Sequence, residues 1–116
     1  ILGHIRSISP RFLDHIDGFA DHPLVGETRG VGLVGAIELV ADKKTKRAFD
    51  ESQKVGAYCV SRAEARGLIL RAMGDSVAFC PPLITTESQI DDIFDIFSKA
   101  LDETEKWVNE NNIREK

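Results

Sequence analysis

One arginine stands out among the residues that could do chemistry. Arg71 interrupts the run of residues 68–73, which otherwise carries no charge and has the composition of a β-strand. A guanidinium group is costly to bury alone, so this one must reach solvent or meet an anion. Its planar fork of donors suits a carboxylate. The residues alone leave two interpretations open: an edge-strand arginine paired with a nearby Asp or Glu, or an arginine that binds a carboxylate ligand.

Three glycines have the spacing of a dinucleotide-binding loop. Gly30, Gly32 and Gly35 match the pattern GxGxxG, which works only between a strand and a helix whose N-terminus meets the pyrophosphate. Here a turn-rich stretch, residues 24–30, comes first, and a predicted strand at residues 31–40 runs through the motif. We therefore interpret these residues as structural glycines that let another backbone pack closely.

No other pattern in the sequence predicts a catalytic centre. Glu38 lies in the predicted buried strand, where a structural salt bridge is the favoured interpretation. His4, His15 and His22 are scattered without the spacing of metal ligands, and no catalytic triad is recognisable. A Schiff-base lysine needs an apolar pocket or a cationic neighbour, and no lysine has that context. We therefore expect no catalytic residue, no cofactor-binding residue and no metal site in this chain. The lysines considered are Lys43, Lys44, Lys46, Lys54, Lys99, Lys106 and Lys116.

Composition and charge exclude several classes of protein. The 116 residues are 42% hydrophobic and 29% charged, which indicates one globular domain. A net charge of −4 without a basic stripe argues against a nucleic-acid partner. The longest apolar run, residues 31–37, is too short for a membrane span, and the N-terminus has no signal-peptide pattern. We expect a cytoplasmic protein in which Cys59 and Cys80 are buried free thiols. Because an apolar pattern is already in progress at Ile1, we expect a processed protein or a fragment of a longer one.

Hydrophobic periodicity predicts six elements. In the first, Pro10 leaves two possibilities open: a helix that starts there after a Ser9 cap, or one longer helix with a kink. The predicted elements are a helix within residues 5–22, a strand at 31–40, a helix from 50 to about 66, strands at 68–73 and 76–80, and a helix after residue 86.

Local signals mark where the two later helices begin. Asp50 with Gln53, and Thr86 with Gln89, have capping-box spacing. Gly67 is typical of the residue just after a helix end.

The two short strands are predicted to form a hairpin. Gly74-Asp75 between them favours a tight two-residue turn, with Arg71 opposite Ala78 and Leu70 opposite Phe79. An antiparallel hairpin combined with amphipathic helices predicts an α+β fold: a small, mainly antiparallel three-stranded sheet with helices packed on one face.

Three stretches carry a family resemblance. They are residues 22–33 (HPLVGETRGVGL), residues 67–75 (GLILRAMGD) and residues 81–85 (PPLIT). Together, in this order and spacing, they resemble the C-terminal domain of class III aminotransferases, the omega-amino-acid transaminase group. The resemblance covers nearly the whole chain. It implies that residues 1–116 are the small C-terminal domain of a fold-type-I enzyme whose large domain lies upstream.

The resemblance also implies a chemistry. Such enzymes use pyridoxal phosphate to move an amino group from an amine or omega-amino acid to a keto acid such as pyruvate. The lysine that holds the cofactor lies in the large domain, and the small domain closes one side of an active site at a homodimer interface. The implied partners are therefore the rest of the polypeptide, a second identical subunit and these small substrates. The isolated chain should be inactive, because nothing here anchors the cofactor.

Arg71 matches the family's arginine that pairs with the substrate carboxylate and that, in some members, swings away when the substrate has none. This match favours the ligand-binding interpretation of Arg71. Two alternatives remain. A free-standing regulatory module that binds amino acids would use Arg71 without chemistry. A truncated structural or dimerising product would expose an apolar patch where a large domain otherwise packs.

Overall fold

The computed structural model describes residues 2–82 and 85–115. Ile1, Lys116 and two residues of the third family-like stretch, Leu83 and Ile84, lie outside the described part. The helices and strands are α1 (Leu2–Gly18), β1 (Val25–Val31), β2 (Val34–Leu39), α2 (Val55–Ala65), β3 (Arg71–Met73), β4 (Ser76–Phe79) and α3 (Glu87–Glu110). Short 3-10 helices cover Phe19–Asp21, Glu51–Gln53 and Ile113–Glu115.

The strands form one antiparallel sheet with the order β1-β2-β4-β3. The predicted α+β class is confirmed, but the predicted count of three strands was wrong, because residues 25–31 form β1 rather than a turn-rich stretch. Of β1, only Val25 is buried, so the strand has almost no apolar pattern of its own. Pairing with β2 stabilises it, and tertiary context of this kind overrides local strand propensity.

A tight turn divides the predicted strand at residues 31–40. Val31 pairs with Val34 across Gly32 and Leu33, and Gly32 has a φ of 60°. A two-residue loop with glycine at its first central position is typical of a type II′ hairpin turn, which matches the natural twist of the strands. The GxGxxG glycines therefore lie in a hairpin and not in front of a helix, which agrees with their structural interpretation.

The other two glycines of that motif allow α1 to pack against the hairpin. Gly30 and Gly35 face each other across β1 and β2. A Cβ atom on Gly30 would lie 2.6 Å from Cδ2 of Leu13, and one on Gly35 would lie 3.0 Å from Cδ1 of Ile16. The predicted close packing occurs at Gly30 and Gly35, but the atoms of helix α1 that approach are side-chain atoms and not another backbone.

The core lies between the sheet and the helices. Phe79 of β4 stacks on Phe94 of α3, with ring centroids 5.2 Å apart, and meets the edge of Phe97 at 4.9 Å. Such pairs contribute about 0.5–1.5 kcal/mol each beyond the burial of their area. Helix α3 begins at the predicted capping box, in which the Thr86 hydroxyl accepts from the Gln89 amide and the Gln89 side chain accepts from Thr86.

The structure decides between the alternatives for α1 and corrects the start of α2. Helix α1 runs through Pro10 without a break, so the longer helix is the observed alternative. Helix α2 begins four residues later than the Asp50 cap indicated, because Lys54 adopts a left-handed conformation with a φ of 51°. The Asp50 carboxylate instead caps the preceding 3-10 helix by accepting from the Ser52 amide. In the described part of the chain, no helix combines the length and the apolar character needed to cross a bilayer.

The helices cover one side of the sheet, and we call the other side the open face. Side chains two residues apart on a strand share a face, and so do directly paired residues on neighbouring strands. The open face carries Glu27, Arg29 and Val31 on β1, Val34, Ala36 and Glu38 on β2, Ser76 and Ala78 on β4, and Arg71 and Met73 on β3.

The hairpin turn gives a test of the fold in which two glycines differ only in backbone conformation. A Cβ atom added to either Gly32 or Gly18 would point into open space, with no neighbouring atom within 4 Å, but Gly18 has a φ of −61°. Gly32→Ala should lower the free energy of unfolding by about 1–2 kcal/mol, because an L-residue is strained at positive φ. Gly18→Ala should raise it by about 0.4–1 kcal/mol through the unfolded state. Urea unfolding followed by circular dichroism measures both, and equal effects would contradict the assigned turn.

Candidate functional site

Arg71 is the first residue of β3, at one edge of the sheet. It pairs with Ala78, as the sequence predicted, but the predicted partner pair Leu70–Phe79 lies outside the ladder that the two strands form. Exposure alternates along residues 69–73: positions 69, 71 and 73 are exposed, and positions 70 and 72 are partly buried. The guanidinium group of Arg71 therefore belongs to the open face, and the strand is less buried than its apolar composition suggested.

The two arginines of the open face have different surroundings. Arg29 donates to the Glu27 carboxylate at 3.0 Å and lies 3.5 Å from that of Glu38, so the structural salt bridge predicted for Glu38 is confirmed. Within residues 2–82 and 85–115, Arg71 forms no ion pair with an acidic side chain. The interpretation that paired Arg71 with a local Asp or Glu does not describe this structure.

An apolar groove lies beside Arg71. It has a volume of about 310 Å³, which is the lower end of the range for small-molecule sites. Its walls include Leu68, Ile93, Pro81 and Cys80. A cation at the margin of an apolar groove suits a ligand that has a carboxylate at one end and a small hydrocarbon part.

The turn of the β3–β4 hairpin is fastened to the rest of the domain by Asp75. Its carboxylate accepts a hydrogen bond from the backbone amide of Gly56 in the first turn of α2, at 2.9 Å. Its backbone carbonyl accepts from the amide of Leu39 at 2.8 Å. Burial raises the pKa of the Asp75 carboxyl group, and the bond from Gly56 partly offsets that rise. Asp75 therefore joins the hairpin to both β2 and α2.

No sequence pattern predicted the hydrogen bond between Asp75 and Gly56. Gly74-Asp75 predicted only a turn, and Gly74 does have the positive φ, 61°, that a tight turn uses. Aspartate is a favoured N-cap residue, but Asp75 caps a helix that begins 20 residues earlier in the chain. No local spacing could have predicted that pairing.

A cluster of polar and charged side chains lies in the wide cleft between α1 and α3. The Asp91 carboxylate accepts from Arg11 at 2.8 and 2.9 Å and contacts Nε2 of His15 at 2.7 Å. The hydrogen bonds from Arg11 and then from His15 hold the pKa of Asp91 well below its usual range. The Arg11 guanidinium also lies 3.4 Å from the Glu87 carboxylate, so the polar groups of this cluster are satisfied by one another and join α1 to α3.

A second cluster has the residue types of a metal site. Side-chain atoms of His22, Asp102 and Glu105 lie within 4.8 Å of one another. Nδ1 of His22 accepts from the Leu24 amide at 3.1 Å, and its Nε2 lies 3.1 Å from Asp102. This pairing requires the proton on Nε2. A metal bound there would move the proton to Nδ1, against the Leu24 N–H, so we assign no metal to this cluster.

The cysteines have opposite environments. Cys59 is buried in α2, as predicted, and burial raises its pKa to about 11. The prediction that Cys80 is buried was wrong: this residue follows the last residue of β4 and is exposed. Pro81 cannot continue the ladder, and β4 ends at Phe79.

The lysines of the described part do not fit a covalent cofactor. All are exposed, whereas a Schiff-base lysine must be desolvated or placed beside another cation. Lys43 has a structural role instead, because its ammonium group donates to the carbonyls of Ala20, His22 and Val25. Residues 2–82 and 85–115 therefore contain no lysine suited to hold an aldehyde cofactor.

Comparison with known proteins gives consistent matches. The model of the family "Aminotransferase class-III" matches residues 1–101. Putrescine–pyruvate aminotransferase of Pseudomonas aeruginosa is 49% identical over 85 residues, which are 73% of this chain and 18% of that protein. Mitochondrial gamma aminobutyrate transaminase 1 of Solanum lycopersicum is 37% identical over 106 residues, 91% of this chain and 21% of that protein.

Comparison with solved structures also finds an aminotransferase. The solved PMP-bound form of an aminotransferase from Vibrio fluvialis has a TM-score of 0.85 to this chain at 40% identity. The match covers 88% of this chain and 23% of that one. The chain thus spans about a fifth of the length of these relatives.

The two cysteines give a test of the site's exposure. Thiolates react with iodoacetamide and thiols do not, so Cys59, which is buried and has a raised pKa, should stay unmodified in the folded chain at pH 8. Cys80 in the groove should be alkylated. Peptide mapping by mass spectrometry measures both, and Cys80→Ser is the control that should remove all labelling until urea is added. Equal labelling of the two cysteines in the native chain would contradict the structure.

Proposed function

The chain belongs to the class III aminotransferases, and from this we propose that its full-length protein transfers an amino group from an amine or omega-amino acid to a keto acid such as pyruvate. The names of its relatives support this substrate class, since one acts on putrescine and pyruvate and another on gamma-aminobutyrate. A dimer of identical subunits is part of the same proposal. A cytoplasmic location stays a prediction, because the name of the tomato relative places that protein in mitochondria.

Class III aminotransferases use pyridoxal phosphate, and solved relatives from Vibrio fluvialis contain it or its amino form. The cofactor supplies the electron sink for the chemistry, and the protein supplies binding and orientation. The described residues offer no lysine that fits it. We therefore expect the cofactor to be held by the part of the protein that this chain does not span, and the isolated chain to be inactive.

The role that we propose for this domain is to close the active site and to bind the substrate carboxylate through Arg71. The observation that carries this proposal is an exposed arginine beside an apolar groove, without an acidic partner among the described residues. A guanidinium group can hold a carboxylate through two parallel hydrogen bonds. The groove would then receive the short hydrocarbon part of a keto acid.

The open face supports a domain that packs against the rest of its polypeptide. Three large apolar side chains of the open face are strongly exposed, Val31 by 82%, Val34 by 58% and Met73 by 70%, and Ile69, two residues before β3, is exposed by 84%. Apolar surface of this kind is suited to contact with another part of a protein. We propose that the large domain covers this face and that Arg71 lies at the margin of the contact.

Replacing Arg71 in the full-length enzyme tests the proposal. Arg71→Ala should raise the KM for pyruvate, and the loss of one desolvated charge pair should cost about 2–4 kcal/mol, or roughly 30- to 700-fold in kcat/KM. The KM for an amine donor without a carboxylate should change little. Steady-state kinetics with each substrate varied in turn measures both values.

Arg29→Ala is the matched control. It removes an arginine from the same face, but one already neutralised by Glu27 and Glu38. We expect it to leave the KM for pyruvate unchanged. An unchanged KM for pyruvate in Arg71→Ala, or an equal rise in both variants, would refute the assignment.

A further inference from the structure

We propose that Asp75 is a positioning residue for Arg71, because it fastens the hairpin that carries the arginine to the first turn of helix α2. The inference rests on the proposed function of Arg71 and names a residue through which the domain sets the position of that side chain. Asp75 does not contact the substrate in this proposal, and its effect passes through the hairpin backbone.

Strand β3 needs such a fastening because it is the edge strand of the hairpin. It has only three residues and pairs on one side, with β4, whereas β4 is also held by β2 and by Phe79 in the core. Arg71 is the first residue of β3, and Asp75 lies in the turn that follows its last residue. A displacement of that turn would therefore shift β3 and move the guanidinium group.

Asp75 fixes that turn in two directions. The backbone carbonyl of Asp75 accepts from the amide of Leu39, the last residue of β2. This bond continues the pairing of β2 with β4 by one residue into the turn. Its carboxylate accepts from the Gly56 amide at 2.9 Å. That amide is one of the donors that α2 cannot use within the helix, and a carboxylate near a helix N-terminus is also favoured by the helix dipole.

The residue at position 56 shows how closely the turn lies on α2. A Cβ atom on Gly56 would overlap the carbonyl oxygen of Gly74 and lie 2.9 Å from the Cα atom of Asp75. Because these neighbours are backbone atoms, they cannot move aside without displacing the turn. Any residue larger than glycine at position 56 would push the hairpin away from the helix.

The position of Arg71 matters because a two-point contact between guanidinium and carboxylate requires accurate geometry. A binding group must be held within about 0.5 Å of its working position, and small misplacements by distant substitutions reduce rates strongly. A contact that fixes the hairpin turn should therefore control binding of the keto acid much more than binding of an amine that has no carboxylate.

The test uses full-length enzyme and compares two substitutions of Asp75. Asp75→Ala removes the acceptor and should raise the KM for pyruvate about tenfold, while the KM for a carboxylate-free amine such as putrescine and kcat at saturation stay near the wild-type values. Asp75→Asn keeps an oxygen acceptor for the Gly56 amide and should restore the KM for pyruvate. Asp42→Ala is the control, because Asp42 also accepts from backbone amides, those of Lys44 and Thr45, but in a separate loop.

A second perturbation of the same contact covers the case in which Asp75→Ala does not fold. Gly56→Ala should produce the same selective rise in KM for pyruvate by displacing the turn. Gly18→Ala, which adds a methyl group in open space, should not.

A double substitution shows whether the effect passes through Arg71. In the Arg71→Ala background, Asp75→Ala should cause no further rise in the KM for pyruvate, since residues that act as one unit are not additive. A rise of both KM values, a failure of Asp75→Asn to restore binding, or full additivity would overturn the inference. If Arg71→Ala alone leaves the KM for pyruvate unchanged, the proposed function fails and this inference fails with it. If only the Asp75 and Gly56 variants lack an effect, the function stands and the positioning role is wrong.

Discussion

The packing of α3 on the central strand β4 is the interaction on which the rest of the domain depends. Phe79 lies between Phe94 and Phe97 and fixes the sheet on one side of the helix. Helix α1 reaches the same side only because Gly30 and Gly35 leave room for it. The helices therefore pack on one face of the sheet, and no helix of the described residues covers the open face.

That division gives the two arginines of the open face different roles. Arg29 is neutralised by Glu27 and Glu38 and holds β1 to β2, so its charge is used within the domain. Arg71 stands at the opposite edge, on a strand that pairs on one side only. A cation at a sheet edge, with an apolar groove beside it, is suited to the substrate carboxylate proposed above.

Much of this could be predicted from the sequence, for reasons that particular residues make clear. The capping box at Thr86 is a local signal, and both the cap and the helix that it predicts are confirmed. Strand β1 was not predicted because only one of its residues is buried, so its composition has no strand pattern. Pairing with β2 is what makes it a strand. Cys80 was predicted to be buried because an apolar strand pattern does not distinguish a covered position from an exposed one. The role of Asp75 joins residues far apart in sequence, which no spacing rule describes.

The contact between Asp75 and Gly56 also makes one amide hydrogen a reporter of motion. The N–H of Gly56 is bonded to the carboxylate of the hairpin turn, while most amides of α2 are bonded within the helix. Its exchange with solvent deuterium therefore requires the turn to lift and not the helix to unwind. The exchange rate of this one hydrogen measures how often the hairpin opens, and so how rigidly the domain presents its arginine.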